Sequence, residues 1–206
     1  MAAGPTGSVP TRRSGWPVLR TPRWMLAGAV VLVAGLTLAA IPHHPSTSER
    51  AADLRGAVQE MNVGIESCAG GVSESLTALQ QIQSGASHDV KTAVSIATLG
   101  AENCSPANSM PMDDLVQYEP PGSLASFHLD VTVNDLVTWG FPDAQRVQAD
   151  VATVLTASTP SAIQAATAQL RRDQRVLDAE RATIDDMVNA ASKSLSADVA
   201  PPSLPG

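Results

Sequence analysis

The amino-acid sequence predicts an all-α protein, in which a single N-terminal transmembrane helix is followed by an elongated antiparallel bundle of about five helices. Of the 206 residues, 32 are alanine and only 6 are aromatic, and apolar side chains recur at helical spacing over most of the chain. Alanine has the highest helix propensity, and so few aromatic side chains exclude a large aromatic core. We therefore expect helices that pack closely through small side chains.

Charge is distributed unevenly along the chain. Residues 1–24 contain four arginines and no acid, whereas residues 43–206 contain nine basic and twenty acidic side chains, a net charge of −11. Because so acidic a domain repels a phosphate backbone, we expect no nucleic-acid partner.

An uncharged apolar segment, WMLAGAVVLVAGLTLAAI, occupies residues 24–41. A helix of this length spans roughly 27 Å, about the thickness of the hydrocarbon core of a membrane. The arginines before it predict, by the positive-inside rule, a cytoplasmic basic leader over 1–23, a transmembrane signal anchor over 24–41 and an extracytoplasmic remainder. The alternative is a cleaved secretory signal, with the cut after Ala39 or Ala40, which makes the protein secreted instead of anchored in the cell membrane.

The first helix of the extracytoplasmic domain begins after a spacer over residues 42–48. Ser46 and Glu49 form the S-x-x-E pattern of a capping box. Apolar positions then alternate in steps of three and four for more than four heptads, which predicts a helix of about 37 residues with a coiled-coil-like seam that ends at Gly85. The seam comprises Ala51, Leu54, Val58, Met61, Ile65, Cys68, Val72, Ser75, Leu79 and Ile82.

Three shorter segments come next. Ser87 is the expected cap of a second helix, whose seam is Val90, Val94, Ala97, Ala101 and Cys104 and which ends before Pro106. Residues 105–122 contain four prolines and no helical period, so we expect a long loop. Residues 123–139 alternate like a strand, but no second strand is present to pair with them, so we expect a buried helix there.

Two more helices complete the predicted bundle, which spans residues 49–197. A turn at residues 140–142 precedes a helix to about Ala157, and Thr159 with Pro160 opens the last helix. In that helix, apolar residues recur at intervals of seven, at Ile163, Leu170, Leu177, Ile184 and Ala191. We expect the two long helices to run side by side, with a disordered tail over 198–206.

The two cysteines are predicted to form a disulfide. Cys68 and Cys104 each lie on the seam of their helix, and each is eighteen residues from position 86, in the turn between the helices. Two antiparallel helices bring such positions level, and in an exported chain the oxidised form persists. Closing this loop of 37 residues stabilises the fold by about 3.8 kcal/mol in the chain-entropy model. The alternative is two buried free thiols.

Motifs that carry chemistry are absent from the sequence. It contains no G-x-S-x-G, H-E-x-x-H, G-x-G-x-x-G or Walker-type pattern, so we expect no enzymatic activity and no cofactor. His43 and His44 lack further ligands at fixed spacing, and the acidic residues of the proline-rich loop lack the glycine-centred spacing of a calcium site. His128 and Asp130 have no partnered nucleophile. We therefore expect no metal.

A candidate binding patch lies in the region 110–141, which holds every aromatic residue of the extracytoplasmic domain. In one interpretation these side chains line a pocket or a partner-binding face, and in the other they form a small core that fastens the proline-rich loop to the bundle. The residues are Tyr118, Phe127, Trp139, Phe141, Met110 and Met112.

Together these features predict a non-enzymatic single-pass membrane protein whose extracytoplasmic helical domain serves interaction or scaffolding in the bacterial cell envelope. Its expected partners are the membrane and either an unidentified envelope protein or a second copy of the chain. The alternative is an exported small-ligand sensor or binding module that uses the region 110–141.

Overall fold

The computed structural model describes residues 44–203, with the side chain of Trp139 excepted. The regular secondary structure of this part of the chain consists of helices alone, without a strand, which confirms the all-α class with six α-helices where about five are predicted. The predicted leader and transmembrane segment lie outside the described residues. No helix within residues 44–203 is long and apolar enough to cross a membrane. The helices are α1 Thr47–Ser84, α2 Val90–Asn103, α3 Met110–Val116, α4 Leu129–Asp135, α5 Phe141–Thr156 and α6 Pro160–Ser194.

Helix α1 begins and ends where its sequence signals predict. The hydroxyl of Ser46 accepts from the backbone N–H of Glu49 at 3.2 Å, and the Glu49 carboxylate accepts from the backbone N–H of Ser46 at 2.7 Å, which completes the capping box. Gly85 ends the helix with φ 76°, a left-handed conformation that glycine adopts without strain. Every seam position except Ile82 is buried, so the spacing identified the core-facing side of this helix.

Helix α2 differs from its prediction at its cap and in its buried face. Asp89 is the N-cap in place of Ser87, and its carboxylate accepts from the backbone N–H of Thr92 at 3.0 Å. Val90 is 38% exposed. The buried stripe consists of the small residues Ala93, Ala97 and Gly100, together with Cys104. Small side chains face inward because α1 approaches α2 too closely for valine.

The proline-rich segment 105–122 is partly helical, so its prediction as a loop was wrong. Residues Pro106–Asn108 form a 3₁₀ turn, and α3 comes after it with a proline in its first turn, where the missing N–H costs no hydrogen bond. Met112 and Leu115 of α3 are buried. The Leu115 side chain covers Gly64 of α1, since a Cβ there would lie 2.7 Å from its Cδ2.

Residues 123–139 are helical, which confirms the helix over the strand, but no turn separates them from the next helix. A 3₁₀ turn, Gly122–Phe127, precedes α4, and a π-helical turn, Leu136–Gly140, joins α4 to α5. Gly140 keeps helical angles, and Phe141 donates its N–H to the carbonyl of Leu136. Such a widened turn accommodates Pro142, which has no N–H to donate within a helix.

Helix α6 has its predicted period, but its position in the bundle differs from the expectation. Thr159 caps it by accepting from the backbone N–H of Ala162 at 3.2 Å. Four of the five heptad positions are buried, whereas Ile163 is 43% exposed. The long helices α1 and α6 contact each other little, because α5 packs against both of them.

The chain after α6 packs against the bundle as far as the structure describes it, contrary to the predicted disordered tail. Val199 is buried, and its N–H donates to the hydroxyl of Ser192 at 3.2 Å. Pro202 is also buried, and the N–H of Ser203 donates to Asn62 Oδ1 of α1 at 2.9 Å. These contacts tie residues 198–203 to both long helices.

Candidate functional site

The two cysteines that the sequence pairs lie at disulfide distance. Their Cα atoms are 4.5 Å apart, within the range that a disulfide requires. Both are buried, with Cys68 in the middle of α1 and Cys104 at the C-cap of α2. The bond therefore links the end of the short helix to the centre of the long one.

A buried amide packs directly on this disulfide. Gln148 of α5 is fully buried, and its Nε2 donates to Cys104 Sγ at 3.0 Å. Its Oε1 accepts from the hydroxyl of Ser75 at 3.3 Å, and that hydroxyl also donates to the carbonyl of Gly71 at 2.6 Å. Since buried polar groups are costly unless they are hydrogen-bonded, this network fixes α5 in register against both α1 and α2.

Two glycines make room for that amide. A Cβ at Gly100 would lie 1.9 Å from Gln148 Oε1, and a Cβ at Gly71 would lie 2.8 Å from the Cα of Gly100. Helices α1 and α2 therefore touch through their backbones at this level. Gln148 was not predicted as a core residue, because its polarity is typical of a surface position.

The described side chains of the candidate binding patch differ in their exposure to solvent. Met112 and Phe141 belong to the hydrophobic core, whereas Met110 is 82% exposed. Tyr118 and Phe127 are half-buried against that core, and the side chain of Trp139 lies outside the described part of the structure.

Phe127 is held to α1 by a cluster that no sequence pattern predicted. The guanidinium of Arg50 lies 4.9 Å from the centre of its ring, and Arg50 Nε donates to the carbonyl of Ser123 at 2.9 Å. Arg50 also donates to the hydroxyl of Ser126 at 2.8 Å, and Asp53 accepts from the hydroxyl of Ser123. These contacts join residues about seventy positions or more apart, for which the sequence carries no local signal.

A groove of about 510 Å³ lies beside Tyr118. Burial, together with the carboxylates of Glu60 and Asp53, raises the pKa of the Tyr118 hydroxyl above its ordinary value of 10.0. All of the residues that line the groove come from the region 110–141, and two of them are acidic. They are Val116, Tyr118, Glu119, Pro120, Asp130, Val133, Asn134 and Val137.

A second cluster of ionisable side chains lies between α5 and α6. Burial and the neighbouring carboxyl of Asp173 raise the pKa of Asp150 from 3.8 to about 6. The Asp173 carboxylate accepts from Gln169 Nε2 at 2.7 Å, and this bond lowers the pKa of Asp173. Repulsion between the two adjacent carboxylates therefore adds to burial in favouring the protonated form of Asp150.

Two further acids lie along the same interface. The buried Asp143 of α5 forms an ion pair with Arg146 one turn later. Burial raises the pKa of Glu180 on α6, and the charge of Arg146 opposes that rise. Arg146 therefore interacts with acidic side chains of both helices.

The acidic residues of the proline-rich segment do not form a metal-binding group in the described part of the structure. Asp113, Asp114 and Glu119 are exposed, and His128 adopts a left-handed conformation with φ 55° before α4. His43 lies outside the described residues. Within residues 44–203, no group of three or more His, Cys, Asp or Glu is arranged to hold a metal ion.

Comparisons with protein-family models, curated proteins and solved structures found no match to this chain. The protein is therefore classified here by the arrangement of its helices. It is an all-α domain in which α1 and α2 form a cysteine-linked hairpin and α5 packs on that hairpin through a buried amide.

Proposed function

We propose that this chain is a non-enzymatic single-pass membrane protein whose extracytoplasmic helical domain serves interaction or scaffolding in the bacterial cell envelope. The observation that carries the proposal is the Cys68–Cys104 pair, which lies at disulfide distance in a chain with an apolar segment at residues 24–41. Disulfides persist in oxidising compartments, and an apolar segment preceded by arginines directs the C-terminal remainder of a chain across the membrane.

The dimensions of the domain support a role in interaction. Helices α1 and α6 contain 38 and 35 residues, so each is roughly 50–57 Å long. Helices of that length present extended solvent-facing surfaces on which an envelope protein or a second copy of the chain can bind.

Protease treatment of spheroplasts tests the membrane topology. We expect an epitope tag after Gly206 to be digested in intact spheroplasts, and a tag at Met1 to be digested only after the membrane is broken. The protein stays in the membrane fraction after carbonate extraction, whereas the double variant Val30→Arg/Val33→Arg is lost from it. A soluble mature protein that begins near Ile41 would instead establish the cleaved secretory signal.

Crosslinking in intact cells tests the interaction. A photoreactive amino acid is placed at Val63, Leu99 or Val176, which are exposed apolar positions on three different helices. We expect one of the three to give a reproducible adduct with a single envelope protein or with a second copy of the chain. The absence of an adduct at all three positions contradicts the interaction role.

An exported small-ligand binding module is a second candidate, because the groove beside Tyr118 lies wholly within the region 110–141. Its volume falls within the range of small-molecule pockets, roughly 300–1,000 Å³. A ligand from a metabolite panel is expected to raise the melting temperature of the full-length protein and to lose that effect in Asn134→Trp, which fills the groove. The exposed control Gln83→Trp keeps the effect, and a panel without any rise contradicts this candidate.

A further inference from the structure

A cleft of about 280 Å³ lies between α1, α5 and α6. Val72 of α1, Val147 of α5 and Leu177 of α6 line it and are buried, and Leu76 of α1 is half-buried. The floor of the cleft is thus continuous with the hydrophobic core. It remains open because α1 and α6 contact each other little.

Helix α6 supplies all of the polar residues of this cleft. They are Arg171, Gln174, Arg175 and Asp178. Arg171 and Arg175 are four residues apart and therefore lie on the same face of the helix. Both are exposed.

The two arginines have no hydrogen bond or ion pair with any residue in the range 44–203, whereas Arg146 and Arg181 of the same helix pair are bound to Asp143 and Asp185. Acids outnumber bases by twenty to nine beyond residue 42, so carboxylate partners are abundant in this domain. Two neighbouring arginines without a partner therefore line the same cleft as an apolar floor.

We propose that this cleft binds a single-chain fatty acid, whose carboxylate the two arginines hold and whose acyl chain lies on the floor formed by Val72, Leu76 and Val147. An arginine guanidinium matches a carboxylate through paired hydrogen bonds, and the apolar floor removes the chain from water.

Charge and size select this ligand over other anionic amphiphiles. The rim of the cleft carries a net charge of +1, from Arg171, Arg175 and Asp178. This charge matches a singly charged carboxylate better than a doubly charged phosphate ester. The volume is at the lower limit of small-molecule pockets, about 300 Å³, which favours one acyl chain over the two chains of a phospholipid.

Photolabelling of the full-length protein in phosphatidylcholine vesicles tests the proposal. The probe is a long-chain fatty acid with a diazirine in the middle of its chain, and labelled peptides are identified by mass spectrometry. We expect saturable labelling of residues 72–76 and 174–178 that an excess of unlabelled fatty acid abolishes. A probe with the same chain and a trimethylammonium head group labels these peptides weakly.

Matched variants distinguish binding of the probe in the cleft from nonspecific binding to apolar surface. Arg171→Gln/Arg175→Gln should weaken labelling about tenfold or more, because it removes charge-assisted hydrogen bonds to the carboxylate. Arg55→Gln removes the same kind of charge from an exposed position on α1 and should leave labelling unchanged. Asp178→Asn removes the opposing charge and should strengthen labelling severalfold.

Three results would overturn the proposal. They are equal labelling of the wild-type protein and the double arginine variant, equal labelling by the cationic probe, and labelling confined to peptides outside the cleft. Because Arg171, Arg175 and Asp178 all lie at the solvent-facing rim, we expect these variants to keep the wild-type melting temperature, which circular dichroism verifies.

Discussion

The side-chain amide of Gln148 donates a hydrogen bond to Cys104 Sγ at 3.0 Å, although the two residues are 44 positions apart. Through this bond, α5 is attached to the place where α1 and α2 are linked to each other. The centre of the domain is therefore a polar contact among three helices, surrounded by small and aliphatic side chains. Its stability depends on the disulfide, on the close approach of two glycines and on the buried amide.

Loss of the disulfide is expected to destabilise the domain. The double variant Cys68→Ala/Cys104→Ala should lower the free energy of unfolding by about 2–4 kcal/mol, because the unfolded chain regains the entropy of an open loop. Urea denaturation measures the loss. Peptide mapping without reductant should recover a single linked peptide pair from monomeric wild-type protein. Two alkylatable thiols, or a bond between two chains, would refute the hairpin.

A methyl group at Gly100 is expected to disrupt the three-helix contact. Gly100→Ala should lower the free energy of unfolding by about 1–3 kcal/mol, because the new Cβ overlaps the side-chain amide of Gln148. The backbone of α1 lies too close for that amide to move away. Gly70→Ala is the matched control on α1, since no atom lies within 4 Å of its Cβ. There the better helix propensity of alanine should stabilise the protein by about 0.5–1 kcal/mol. Equal effects of the two substitutions in thermal denaturation would contradict the close approach.

The carboxyl pair between α5 and α6 is expected to make stability depend on pH. Because the pKa of Asp150 is raised from 3.8 to about 6 in the folded protein, the folded state binds this proton more tightly than the unfolded chain does. The contribution of Asp150 is therefore greatest below pH 3.8 and declines as the pH rises through about 6. The pKa of Asp173 is lowered, so its contribution to stability changes with pH in the opposite direction and partly offsets that of Asp150.

Replacement of Asp150 by asparagine measures the contribution of that carboxyl to the pH dependence of stability. Asp150→Asn resembles the protonated form, so it should raise stability at pH 7.5 by about 1 kcal/mol after allowance for solvent screening. It should also flatten the pH dependence of unfolding between pH 4 and 6, about the interval between the two pKa values. Asp114→Asn, at an exposed position of α3, serves as the control. A pH profile that is the same in both variants and the wild type would show that Asp150 titrates normally.

The contacts of Arg50 are expected to order the 3₁₀ turn at residues 122–127. Arg50→Ala removes two hydrogen bonds and the contact with the Phe127 ring, which should cost about 1–2 kcal/mol. Hydrogen exchange of the amides of residues 123–128 should accelerate, while exchange in α2 changes little. Arg55→Ala, on the next turn of α1, is the control because it has no hydrogen bond or ion pair within residues 44–203. Unchanged protection of the turn in Arg50→Ala would contradict the role of this cluster.

The local properties of the sequence were sufficient to predict α1 and α6. The capping box at Ser46, the glycine at position 85 and the uninterrupted seam each act within one or two helical turns, so the residues that decide them are neighbours in the chain. The pairing of Cys68 with Cys104 could be predicted for a related reason. In a hairpin of two regular helices, the turn alone determines which residues lie level with each other.

The packing of the shorter elements depends on contacts between distant segments. Gly100 is buried because the backbone of α1 and the side-chain amide of Gln148 from α5 meet there, and no pattern within α2 predicts their approach. Contacts between distant segments also explain three other features. These are the π turn before Phe141, the helix within the proline-rich segment and the separation of α1 from α6. Tertiary packing outweighs local propensity where a segment is too short, or too rich in proline and glycine, for its own periodicity to determine its position.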